Sequence, residues 1–197
     1  MRMWIAVFAV LFSGVFPAAS FEFGLPAIYE VAGISEDDFL NVRSGPSTSH
    51  PVIDGLPNGA QVEVTSESGD GWARILHGEG NGWVAMRYLQ ARSTAGISEE
   101  LFCAGTEPFW GLSLEPGDTM TFNEMDQAPV RISPEWRNGV AGSSNSGFAV
   151  GSESYIALFN RRECSDGMSD RTYGWALDFL KTEGQGAYLQ GCCRMLP

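Results

Sequence analysis

The 197-residue chain sets 12 basic against 24 acidic residues, a formal charge of −12, and has only two His. A surface of that sign repels phosphate backbones and anionic headgroups, which argues against nucleic acid as a partner, and the single Lys, Lys181, leaves no basic patch to bind one. All four Cys lie in the second half, without C-x-x-C spacing or a His beside them, which favours disulfides over a metal site and gives no reason to expect a cofactor.

In chain order, Met1, Arg2 and Met3 precede an apolar run from Trp4 to Phe16, and Pro17-Ala18-Ala19-Ser20 follows. Charge, apolar run and small residues in that order predict a secretory signal over residues 1–20, cut after Ala19 or Ser20. The run is shorter than the roughly 20 apolar residues of a spanning helix, so no integral membrane segment is expected after cleavage. The exported chain is placed in the periplasm or secreted.

Residues 21–90 read as one small unit. Ile28–Val31 is a strand, then Leu40–Arg43, stopped by the turn Ser44-Gly45-Pro46-Ser47. Val52-Ile53 leads to a turn at Leu56-Pro57-Asn58-Gly59. Val62-Glu63-Val64 alternates, with both Val facing the core and Glu63 facing out. Gly69-Asp70-Gly71 turns into Trp72–Leu76, Gly80-Asn81-Gly82 is a hairpin turn into Trp83–Ala85, and Tyr88-Leu89 closes the unit. About five short strands in this space predict a small barrel.

These residues resemble the bacterial SH3 domain. The match runs from Phe39 to Leu89 and carries Leu40-Asn41-Val42-Arg43-Ser44-Gly45-Pro46, Leu56-Pro57-x-Gly59, Gly71-Trp72, Gly82-Trp83-Val84 and Tyr88-Leu89 in order. The resemblance implies a module that holds a cell-wall component or a peptide and does no chemistry. Candidate ligand contacts are Tyr29, Arg43, Trp72, Trp83 and Tyr88. The alternatives are structural: Trp72 and Trp83 as core, Tyr29 and Tyr88 packed under the barrel ends, Arg43 paired with Asp54 or Glu63. His50 and His77 read as exposed loop residues.

Residues 91–98 are small, polar and aperiodic, as linkers are. In residues 99–197, strands are expected at Trp110–Leu114, Met120–Phe122, Val130–Ile132, Tyr155–Phe159, Trp175–Leu180 and Tyr188–Met195. The expected fold class is therefore all-β, an SH3-like small barrel followed by a disulfide-bonded small β barrel or sandwich. Three motifs stand out: Gly105-Thr106-Glu107-Pro108-Phe109-Trp110, then Cys164-Ser165-Asp166-Gly167-Met168-Ser169-Asp170-Arg171-x-Tyr173, then Leu189-Gln190-Gly191-Cys192-Cys193-Arg194. Together they resemble a family of uncharacterised exported bacterial domains, a resemblance that implies location and no activity.

Cys192 and Cys193 are strand neighbours, so their side chains point to opposite faces and a bond between them is disfavoured. Cys193 shares the apolar face of Leu189 and Met195, which suits Cys103 beside Phe102. Cys192 shares the polar face of Gln190 and Arg194, which suits Cys164 beside its polar turn. The expected bonds are Cys103–Cys193 and Cys164–Cys192.

No His stands in the second half, which argues against Cys-His, zinc and Ser-His-Asp chemistry there. Glu107, Asp166 and Asp170 leave a carboxylate glycosidase as an alternative. The structural reading has Asp166 and Asp170 bonding the amides of the Gly167 turn, Glu107 pairing with Arg171, and Trp110 on a half-buried strand. The same two Asp offer too few oxygens for calcium. The preferred function is a non-catalytic exported binding protein whose partner is a peptidoglycan fragment, a peptide or an envelope protein. The alternative is an exported inhibitor or envelope-stress protein acting through residues 99–197.

Overall fold

The computed structural model describes residues 24–92, 100–141, 146–184 and 186–196, in two antiparallel sheets. The expected signal at 1–20 and residues 93–98 of the expected linker fall outside them.

The first sheet has seven strands: β1 (Ala27–Val31), β2 (Phe39–Arg43), β3 (Val52–Pro57), β4 (Gln61–Glu67), β5 (Trp72–His77), β6 (Gly80–Ala85) and, after a 3-10 turn at Met86–Tyr88, β7 (Leu89–Ala91). Their order is β3-β2-β6-β5-β4-β1-β7. Alternation works as elementary geometry requires: Val31, Leu40, Val42, Val64, Ala73, Ile75 and Val84 fill the interior.

Three local expectations are corrected here. Leu56 and Pro57 belong to β3, opposite Leu40 and Phe39, so the turn begins at Asn58. The β5–β6 hairpin turns at Gly78-Glu79, with Gly78 at φ +56°, and Gly80-Asn81-Gly82 lies in β6. Gly82 is a packing glycine, because a Cβ there would collide with Cγ1 of Val42 on the neighbouring strand. His77 consequently ends a strand, half-buried, with Nε2 3.1 Å from Asp54 Oδ2.

The second sheet has nine strands: β8 (Leu101–Thr106), β9 (Phe109–Leu114), β10 (Met120–Glu124), β11 (Val130–Ile132), β12 (Trp136–Gly139), β13 (Gly147–Gly151), β14 (Tyr155–Cys164), β15 (Tyr173–Lys181) and β16 (Ala187–Met195). The order is β11-β10-β9-β8-β16-β15-β14-β13-β12. Phe122 on β10 meets Phe179 on β15 with ring centroids 5.1 Å apart, although three strands separate them in the sheet. The sheet therefore rolls over one core, centred on Trp175, Phe159, Phe179, Leu112 and Leu177. Cys103 lies inside β8, directly opposite Cys193 of β16. Cys103 is bonded to Cys193, and Cys164 to Cys192 across the intervening β15.

The two sheets dock on each other. Ile28 of β1 belongs to the second core, and the Glu63 carboxylate accepts the Met195 N–H at 2.8 Å. Glu63 does point out of its own barrel, but what lies outside is the second sheet, so it is 7% exposed rather than solvated. Asn81 donates to the Asp170 carbonyl at 2.8 Å, Arg161 donates to the Gly24 carbonyl at 2.9 Å, and Arg74 pairs with Glu163.

Candidate functional site

On the outer face of the first sheet, β2, β5 and the 3-10 turn surround a groove of about 200 Å³. Its walls include Phe39, Arg43, Trp72, Arg87 and Tyr88, with Asp38 at the rim. Strand alternation explains the collection. Leu40 and Val42 face the core, so Phe39 and Arg43 face out; Ala73 and Ile75 face the core, so Trp72 faces out.

Each wall is fixed locally. Gly71, at φ +76°, makes the tight turn before Trp72, and its carbonyl accepts the Met86 N–H at 3.0 Å, which ties the start of β5 to the turn bearing Arg87 and Tyr88. The Arg87 guanidinium lies 4.7 Å over the Tyr88 ring. Arg43 donates to the carbonyls of Thr48 (3.1 Å) and His50 (2.8 Å), so it braces the β2–β3 loop rather than pairing with Asp54 or Glu63. His50 is exposed, its ring set against Gly45 where a Cβ would not fit.

Of the five sequence candidates, the structure brings Arg43, Trp72 and Tyr88 together in this groove. Trp83 is half-buried on the same face, opposite Arg43 of β2 and Arg74 of β5. Tyr29 is not a surface group. It is 7% exposed in the first core, and burial followed by the charge of Glu67 raises its hydroxyl pKa. Phe39, 57% exposed, was missed, although an aromatic one residue before Leu40 on an alternating strand had to face out. The groove offers three aromatic faces, two guanidinium groups and one carboxylate. It suits stacking and hydrogen bonding of a polar, partly apolar chain.

The residues singled out in the second unit take other roles. Burial pushes the Asp166 carboxyl up, but bonds from the N–H groups of Ser169 (2.9 Å) and Met168 (3.0 Å) and the hydroxyls of Ser169 (2.8 Å) and Tyr173 (3.3 Å) outweigh it and hold it below the usual range. Asp170 joins the first unit through its backbone, its N–H donating to the Glu79 carbonyl at 3.1 Å, instead of capping the Gly167 turn with its side chain. Arg171 does not pair with Glu107. It donates to the Gly78 carbonyl at 2.8 Å and meets Glu79 at 3.2 Å, while Glu107 is exposed. Trp110 is core, 5% exposed. Among the described residues, no three His, Cys, Asp or Glu side chains converge on a point that would hold a metal ion.

Comparison with known proteins fits the groove's setting. Residues 38–90 match the bacterial SH3 domain. A Bacillus subtilis protein named as an N-acetylmuramoyl-L-alanine amidase is 36% identical over 66 residues, 34% of this chain and 12% of that protein. A Listeria seeligeri protein named as endopeptidase p60 is 40% identical over 61 residues, 30% of this chain and 12% of its own length. The p60 of Listeria innocua is 33% identical over 66 residues, 32% and 14% respectively. The chain thus spans only about an eighth of the length of these relatives.

Proposed function

We propose that this chain is a non-catalytic, exported binding protein of the bacterial envelope, periplasmic or secreted, whose first unit recognises peptidoglycan, through its glycan or its peptide. The observation that carries the reading is the outward cluster of Phe39, Trp72 and Tyr88 with Arg43 and Arg87 in one groove. An outward-facing aromatic cluster with braced polar neighbours is a common design for recognition. The likeness to a stretch of an amidase supports the choice of ligand, since the bond in that name joins glycan to peptide in peptidoglycan. The two disulfides support an oxidising location. The acidic surface favours a neutral glycan or a peptide over an anionic wall polymer.

The test is co-sedimentation of the mature protein with purified peptidoglycan, comparing wild type with Trp72→Ala and Phe39→Ala. Binding that is weakened in both variants while circular dichroism is unchanged supports the reading. Equal sedimentation of all three, or none of the wild type, defeats it. Release of soluble fragments from the wall during the assay defeats its non-catalytic part.

A further inference from the structure

The outer face of β14, β15 and β16 carries a hydrogen-bonded cluster that the fold does not require. Asp178 Oδ1 accepts from the Tyr188 hydroxyl and from Gln190 Nε2, both at 2.7 Å. Gln190 Nε2 also donates to the Tyr188 oxygen at 3.0 Å, and Asn160 donates to Asp178 Oδ2 at 3.3 Å. Burial pushes the Asp178 carboxyl up, but the bonds from Gln190 and Tyr188 and the charge of Arg162 hold it below its usual range. Tyr188 is 61% exposed, yet its ring is held by its own hydroxyl. On the solvent side such a network adds little to folding, because water would satisfy the same groups.

Beside it lies a groove of about 330 Å³, also lined by Gln190 and Arg162. The three motifs that stood out in the sequence meet there: Gly105-Thr106 from the first, Cys164-Ser165-Asp166 from the second, Gln190-Gly191-Cys192 from the third. Its shape is enforced. A Cβ at Gly191 would collide with the Ala104 carbonyl, and one at Gly105 with the Trp110 indole nitrogen. The Cys164–Cys192 bond holds one wall, and the Asp166 turn holds the loop above it.

We infer that this groove and Tyr188 form a second binding site, for a neutral oligosaccharide. A sugar's C–H face is positively polarised and packs on the negative face of an aromatic ring, and Tyr188 offers a fixed one. Its hydroxyls both donate and accept, which matches the mixed lining of the Arg162 guanidinium, the Gln190 amide and the hydroxyls of Thr106 and Ser165. Arg162 makes no ion pair among the described residues, so its donors remain available. An anionic ligand would meet the carboxylates of Glu163 and Asp166 in the same groove. Because the ring and amide are already held, little side-chain entropy is lost on binding. The site shares no residue with the Phe39–Trp72–Tyr88 groove and does not rest on the function proposed for it.

Calorimetric titration of the mature protein with a β-1,4-linked N-acetylglucosamine tetramer, and separately with the corresponding glucose tetramer, tests this. At least one of them binds wild type. Tyr188→Ala and Arg162→Ala each weaken it about tenfold or more, and Tyr188→Phe, which keeps the aromatic face, loses less than Tyr188→Ala. Both positions are exposed, so the variants keep the wild-type circular dichroism. No binding of either tetramer at millimolar concentration overturns the inference, as does affinity that survives unchanged in both Tyr188→Ala and Arg162→Ala.

Discussion

At the scale of single residues, Phe39 and Gly82 separate binding from folding. Phe39 is mostly exposed, so Phe39→Ala removes little buried area and should shift stability by under about 1 kcal/mol while weakening peptidoglycan binding. Gly82→Ala does the opposite. Its new Cβ meets Val42 in the first core, which should cost about 1–3 kcal/mol, and the groove residues are untouched. Urea denaturation alongside co-sedimentation distinguishes the two effects. A Phe39→Ala protein that melts as badly as Gly82→Ala would make Phe39 a structural residue.

At the scale of elements, the two disulfides are unequal. Cys103 and Cys193 are fully buried and join β8 and β16, which are already paired. Cys164 is half-buried at the edge of the groove and reaches over β15 to Cys192. A reductant gains access to the second bond first, so graded reduction followed by alkylation and peptide mapping should label Cys164 and Cys192 before Cys103 and Cys193. Removing the 164–192 bond should cost roughly 3–4 kcal/mol on the chain-entropy view. Simultaneous labelling of all four would mean that reduction proceeds through global unfolding.

The same scale shows what could be read from the chain. The opposite faces of Cys192 and Cys193 follow from local alternation, which is a property of any strand. Trp72 and Arg43 were named through the resemblance to the bacterial SH3 domain, and strand alternation accounts for their facing out only once β2 and β5 are placed. β12 was not legible, because Trp136-Arg-Asn-Gly139 has no alternation and is exposed throughout. It holds its place because the Trp136 ring lies over Gly151, a contact between segments that no local pattern announces. Tyr29 follows the structural alternative, packed in the barrel rather than at a ligand, because an aromatic on a short strand looks the same in sequence whether it faces a groove or the core of its own barrel. The Asp178–Tyr188–Gln190 cluster was also invisible, since it forms only once β15 and β16 are in register.

At the scale of the whole molecule, the question is what the docking of the two sheets depends on. Glu63 lies buried in that contact, bonded to the Met195 N–H. Burial, outweighing the Met195 N–H bond and the charge of Arg194, pushes its carboxyl from an ordinary 4.5 up to about 8. One oxygen, Oε1, is buried without a hydrogen-bond partner, so ionisation leaves a poorly compensated charge in the interface. A carboxyl whose folded pKa is raised contributes its full share of stability below about 4.5, loses it progressively as pH rises towards 8, and is flat above that. At about 1.36 kcal/mol per unit, the loss across the window is on the order of 5 kcal/mol. Asp166 and Asp178, with lowered pKa values, give the opposite slope, but only in acid as pH falls below the ordinary carboxylate range. Between pH 5 and 8 Glu63 therefore governs the trend. Denaturation of wild type at pH 5, 7 and 9 should show stability falling with pH, and Glu63→Gln, which keeps an acceptor for Met195 and cannot ionise, should flatten the curve. If the fall is present in Glu63→Gln as well, the pH dependence arises from another group.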